Sequence, residues 1–348
     1  MSSNASQLLE FKIGAQINLY YSPCLVFFGT IGNMLSFLVY KDKKHRNRSS
    51  TYLILALSIL DTLMLLVGLL QYWILFNFEP RVLTEAHCKG MFFVVNFLGN
   101  YSHWIIVCFS IDRFIAIRYP MKALQLLTVG KCLICIGTIG AVSFVKNFHY
   151  LWTTDFFLNP KSGIAICAFG LKNKAPWVAR YQLFEVTISS FLPFLLILFC
   201  NLMIIFKIKQ RSKVQPDLTA NQNESSKCDE ASKKKRKTER ALTRMLLLVS
   251  TMFILTTCPL LVFRLYYARF DISQSSPQTQ AMYNLGHHVC HKLWYTNNGI
   301  NFLLYCWSSK SFRKDLKLLW KPNNRSVGGT SMMSDLTAST MTKSTTNQ

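Results

Sequence analysis

Seven stretches of mainly apolar residues divide the chain, at 19-40, 52-76, 89-117, 131-152, 182-206, 243-267 and 285-308. Each is close to the ~20 residues an α-helix needs to cross the hydrocarbon core of a bilayer. Lipid offers the backbone no hydrogen-bond partners, so every peptide group must be satisfied within its own segment. The pattern therefore predicts an all-α membrane protein, a bundle of seven transmembrane helices. Residues 309-321 follow a different rhythm. Phe312, Leu316, Leu319 and Trp320 fall on one side and Lys310, Arg313, Lys314, Lys317 and Lys321 mostly on the other, which predicts a short amphipathic helix on the membrane surface. Residues 207-240 and 322-348 are polar and cannot bury enough surface to fold alone, so they read as a flexible loop and a disordered Ser/Thr-rich tail. Residues 1-18 form a short N-terminal segment ahead of the bundle at 19-308. That segment has neither a basic n-region nor a small-residue cleavage site, and the first span is expected to drive insertion itself.

Charge sets the orientation. The 348 residues are 51% hydrophobic and 16% charged, with a net charge of +23; soluble domains carry about 25% charged residues. The excess charge lies in blocks between the spans, KDKKHRNR at 41-48 and KKKRK at 233-237. This suits cytoplasmic loops against anionic lipid headgroups rather than a nucleic-acid groove, and it places the N-terminus outside and the C-terminus in the cytoplasm. Asn4-Ala5-Ser6 then becomes a glycosylation acceptor on the outer side.

A charged side chain inside a span is costly unless paired or hydrated, and so marks function. Asp61 lies mid-span, and Asn33, Ser102, Asn297 and Asn301 are its candidate partners. Such a cluster holds a sodium ion or a proton, or simply fixes helix packing; residue type leaves these open.

Asp112-Arg113, in CFSIDRFIAIRYP, resembles the Asp-Arg-Tyr motif of rhodopsin-like (class A) G-protein-coupled receptors, with Phe114 in the Tyr position. Further landmarks follow in order: Gly32-Asn33, Leu55-Ala56 through Asp61, Cys88, Pro193, Phe253 with Pro259, and NFLLY at 301-305, where Phe302 replaces a proline. The resemblance implies a receptor that binds an extracellular ligand and activates a heterotrimeric G protein. It implies that Arg113 is restrained by Asp112 and by Glu239, twenty residues before Pro259. Release would let the sixth helix swing on hinges at Pro193, Phe253 and Pro259, opening a cavity lined by Arg113 and Tyr305. It also implies a Cys88–Cys167 disulfide; Cys24 and Cys290 sit near the same face and form a possible second bridge. Phosphorylation by receptor kinases at Ser334, Thr337, Ser339 and Thr340 would prepare the tail for arrestin.

For the ligand, Val95 stands where aminergic receptors carry an Asp, and Tyr295 where opsins carry the retinal Lys. Glu185 and Arg264 face the outer half and either neutralise each other or contact the ligand; Gln71, Asn96, His291 and Tyr295 are pocket candidates. TTCP at 256-259 and NNGINFLLYCWSSKSFRK are similar to invertebrate FMRFamide-receptor-like neuropeptide receptors, for which an Arg-containing amidated peptide would suit Glu185. A chemosensory receptor of the same fold, or an ion-coupled transporter or channel using Asp61, are the rival readings. Thr257 replaces the usual toggle Trp, and His103 replaces an apolar residue; a hydrogen-bonded core histidine is the simpler reading for it than a pH sensor. His287, Cys290 and His291 have metal-ligand spacing without an evident fourth ligand. No catalytic motif is present, and an enzyme is not expected.

Overall fold

The computed structural model describes residues 8–78, 84–158, 165–169, 181, 184–185, 187–214, 227–267 and 275–319. Seven long helices form a bundle: α1 (Leu9–Lys41), α2 (Ser49–Asn77), α3 (Glu85–Arg118), α4 (Val129–Thr153), α5 (Leu192–Val214), α6 (Lys227–Tyr267) and α7 (Pro277–Ser308). A short helix, α8 (Lys310–Leu319), follows. The first six include helices long and apolar enough to cross a bilayer by composition alone. α7 is long enough but carries His, Asn and Lys along its length, and it packs against α1, α2 and α6. Large apolar side chains such as Phe28, Met34, Val145 and Trp307 point outward, forming the surface that lipid covers. Ile54, Leu57, Met64, Ile106, Phe109, Val249 and Phe253 fill the centre.

The ends of the helices depart from the expected limits. α1 starts at Leu9, inside the segment expected to precede the bundle. α5 continues to Val214 and α6 begins at Lys227, so helix replaces most of the loop expected to be flexible over 207-240. Lys, Glu and Ala dominate KCDEASKKKRKTERALTR, and these are good helix formers whether or not they are buried. Asn4, the tail beyond Leu319 with its Ser and Thr residues, and the Glu239 side chain all lie outside the described residues.

Local backbone chemistry shapes α1 and α5. Each has a π-helical turn, Ile17–Tyr21 and Thr187–Phe191, shortly before a proline. Pro23 and Pro193 have no N–H to offer the carbonyls of Leu19 and Ser189, four residues earlier. Both freed carbonyls are used across the bundle: Leu19 accepts from Trp73 Nε1 at 2.9 Å, and Ser189 bonds His103 Nδ1 at 2.8 Å. α6 instead stays helical through Pro259. α1 and α7 touch backbone to backbone, where a Cβ on Gly29 would lie 2.9 Å from the Cα of Gly299. One level deeper, Phe302 packs onto Gly32, and α7 runs unbroken where relatives of the motif have a proline.

On the outer side, β1 (Thr154–Leu158) and β2 (Ala165–Phe169) pair antiparallel with Phe156 opposite Cys167. Cys167 is bonded to Cys88 at the top of α3, with Cα atoms 5.9 Å apart. Cys24 and Cys290 are both free thiols, so the second bridge does not form. α8 buries Phe312 and half-buries Leu316, as its pattern predicts, while Leu319 is exposed.

Candidate functional site

At the end of the bundle expected to be cytoplasmic, α3 presents Asp112 and Arg113 to the first turn of α2. Both are almost fully buried. Ser49 Oγ donates to Asp112 Oδ1 at 2.6 Å, while Asp112 Oδ2 accepts from Arg113 Nε at 2.9 Å and Nη2 at 2.5 Å. Arg113 Nη2 also donates to Ser50 Oγ at 2.8 Å. The two serines begin a helix and are free to turn their hydroxyls inward, so the ion pair is desolvated yet saturated with hydrogen bonds. Tyr305 does not point toward this clasp. It is buried against Tyr40 and Phe312, with ring centroids 6.1 and 5.7 Å away, and Tyr40 in turn bonds the Met245 sulfur at 3.3 Å.

In the middle of the bundle, Asp61 accepts from Ser102 Oγ at 3.1 Å and from Asn301 Nδ2 at 2.7 Å. Two of the four expected partners therefore reach it. Asn33 donates instead to the Asn298 carbonyl at 2.9 Å. Asn297 is buried nearby in sequence but has no protein partner for Oδ1, and neither has Asn301 Oδ1. Above this level His103 lies edge-on to Phe253, 5.0 Å between centroids, and 6.3 Å from Trp294. Its Nδ1 faces a carbonyl, which only accepts, so Nδ1 carries the proton. His103 is thus a hydrogen-bonded core residue that joins α3 to the turn preceding α5. Thr257, where a Trp was missing, is buried without a partner for its hydroxyl.

The outer half corrects the sequence reading most. Glu185 does not form an ion pair with Arg264. Its Oε1 accepts from Lys146 Nζ at 2.7 Å and Ser189 Oγ at 2.6 Å, with Asn100 at 3.4 Å. Lys146 comes from α4, and sequence reading passed it over because it closes an otherwise apolar span. Lys292 was missed for a similar reason, standing among polar residues in the least apolar helix. Its Nζ is buried, has no hydrogen-bond partner, and lies 5.0 Å from the Tyr72 ring. Arg264 is open to solvent-accessible space, yet its charge acts on Tyr150, Tyr283, Tyr295 and Glu185, which surround it from several segments.

Among the other pocket candidates, Gln71 Nε2 bonds His87 Nε2 at 2.8 Å. Asn96 turns back to its own helix, donating to the Phe92 carbonyl at 2.7 Å. His291 stacks on His287 at 5.3 Å and lies 5.0 Å from Tyr295, which fills the space against Gly68. An ionisable side chain in a span is costly, and a search for Lys in spans would have found both missed residues.

Residues 32–305 match the family model for the seven-transmembrane receptors of the rhodopsin family. Galanin receptor type 2 of Rattus norvegicus is 24% identical over 291 residues, covering 83% of this chain and 72% of the relative. A galanin-like G-protein coupled receptor of Caenorhabditis elegans is 24% identical over 88% of this chain and 73% of its own length. Neuromedin-U receptor 2 of Homo sapiens is 23% identical, covering 89% and 74% respectively. Matched along the whole span from Gly32 to Tyr305, with its buried Asp-Arg pair at the inner end of α3, the chain belongs to the rhodopsin family of seven-transmembrane, G-protein-coupled receptors, and is not an enzyme.

Proposed function

We propose that this receptor binds a neuropeptide from outside and activates a heterotrimeric G protein by outward movement of α6. The observation that carries the reading is the clasp of Ser49, Asp112, Arg113 and Ser50. It holds a guanidinium at the inner mouth of the bundle through contacts that opening would exchange for contacts with a partner. The names of the similar receptors support a peptide over a small environmental molecule. An agonist needs only a differential affinity for the open form, typically ~1–3 kcal/mol of coupling.

Several parts complete this reading. Glu239 tethers α6 to Arg113 at rest. The pattern of basic loops sets the N-terminus outside, with Asn4 glycosylated, and holds the cytoplasmic face against anionic lipid. Receptor kinases phosphorylate the tail and arrestin ends the signal. Around Asp61, the carboxylate, the Ser102 hydroxyl and the partnerless carbonyl oxygen of Asn301 offer oxygen ligands that suit a sodium ion, with Asn297 as a further candidate from α7. Such an ion would neutralise the buried carboxylate in the resting form.

The test uses the purified full-length receptor in lipid with a panel of G-protein subtypes and a random tetrapeptide library. At least one peptide pool should accelerate nucleotide exchange tenfold or more. Acceleration by small odorants with silence from every peptide pool would favour the chemosensory reading instead.

A further inference from the structure

Among the described residues, charge in the outer half of the bundle is unbalanced. Glu185 is taken up by Lys146, Glu85 by Lys89 at 2.6 Å, and Glu10 accepts from Gln278 at 2.7 Å. Asp155 lies on β1. None of these pairs with Arg264 or Lys292. Both cations act electrostatically on His287 and on His291, whose rings stack 5.3 Å apart.

Lys292 is the stranger of the two. It is only 3% exposed, and its ammonium meets the face of Tyr72 but no acceptor. Its surroundings hold more unused polar atoms: Nδ1 of His288 and of His291 and the acceptor Oδ1 of Asn284 on α7, and Nδ2 of Asn18 on α1. Asn18 belongs to this level, because Gly14 of α1 packs on Asn284 and His288 and Tyr21 bonds Thr296 at 2.8 Å, which brackets position 292. An amide N–H, an ammonium and imidazole nitrogens share one feature, the ability to donate to an anion. A cation-π contact offsets only part of the cost of a buried ammonium, whereas a carboxylate would neutralise it outright.

We propose that Arg264 and Lys292 form a carboxylate-recognition site in the outer bundle, with the Lys292 ammonium against Tyr72 of α2 as its buried member. The ligand is then an acidic one, a peptide whose C-terminal or side-chain carboxylate these cations receive. This deepens, and rests on, the reading of the outer bundle as a peptide seat. It reverses the expectation of an Arg-containing amidated peptide at Glu185, since Lys146 already neutralises that acid.

The full-length receptor in zwitterionic-lipid nanodiscs tests this directly. N-acetylphenylalanine and its amide differ only in the carboxylate, and their aromatic ring suits the Tyr72 and Trp294 walls. Thermal unfolding should rise with millimolar acid and not with amide. Lys292→Gln should weaken the acid's apparent affinity by about thirtyfold or more, the usual cost of removing one member of a buried charge pair, and Arg264→Gln, at an exposed position, by a smaller factor of about threefold or more. Lys292→Arg should restore part of it. Equal shifts for acid and amide on the wild type, or an acid preference that survives both glutamine variants, overturn the proposal. A matched pair of tetrapeptide libraries, free acids and amides, separates the two readings. Peptides that activate equally as acids and amides sink the carboxylate site and leave the peptide receptor standing. A carboxylate-specific thermal shift without activation by any peptide does the opposite.

Discussion

The two ends of the same bundle treat buried polarity in opposite ways. At the inner end every charge among Asp112, Arg113, Ser49 and Ser50 is matched by a short hydrogen bond within the protein. At the outer end Lys292, His288, His291 and Asn18 each bury a polar atom with no protein partner. An unpaired polar group in a low-dielectric interior costs free energy that something must offset. The saturated end therefore behaves as a lock that holds one state, and the unsaturated end as a receptacle whose energy is recovered on binding. A signalling protein needs both, because a ligand can shift an equilibrium only by what it gains in one state over the other.

The largest test of this contrast is at the lock. Asp112→Asn should cost ~3–5 kcal/mol, since it removes the counter-charge of a buried guanidinium. It should lower the unfolding temperature and raise ligand-free nucleotide exchange together; unchanged basal exchange would mean the clasp restrains nothing. A smaller effect is expected midway between the ends. His103→Phe keeps the ring contact with Phe253 but strands the Ser189 carbonyl freed by Pro193, a loss of ~1–3 kcal/mol. His103→Gln, which can still donate, should recover part of the melting temperature, and equal loss in both variants would count against the bond.

The smallest effect concerns the inner surface, where Lys44 and His45 both pair with Asp315 of α8, the latter at 3.1 Å. Burial pushes the His45 imidazole below its ordinary value, and the Lys44 and Arg48 charges add to this, while Asp315 opposes it. The undocked ring thus takes a proton before the docked one as pH falls below ~6.5. Docking of α8 is then pH-independent above that point and weakens below it. The protection of the amides over 310–319, taken relative to the intrinsic exchange rate at each pH, should fall by up to a few fold between pH 7.5 and 5.5, and fall further in Asp315→Asn. Protection that rises at the lower pH would show that the Asp315 charge outweighs burial.

Much of this was legible in the chain. Apolar runs of bilayer length gave the number of helices, and the basic blocks between them set an expected orientation. Asp61, Asp112 and Arg113 declared themselves because ionisable residues in lipid are too costly to be incidental. Partner choice was less legible. Asn33, Asn297 and Asn301 are alike in type, yet only Asn301 bonds Asp61. Glu185 and Arg264 sit at matching heights on neighbouring helices, but a lysine from α4 reaches the glutamate first. Lys292 went unnoticed because hydrophobic patterning dilutes in a helix already rich in polar residues.

The sequence by itself determined the solvent, the helix count and the positions where charge enters the membrane, because these follow from the cost of exposing peptide groups and ions to hydrocarbon. Tertiary structure alone decided which charge is answered and which is left waiting. Pairing depends on helix rotation and on contacts between residues more than a hundred positions apart, as in Asn33 with Asn298 or Asn301 with Asp61. It depends too on carbonyls that a proline frees and a distant side chain claims. Periodicity along one chain records which face of a helix is apolar, but not which neighbour that face will meet.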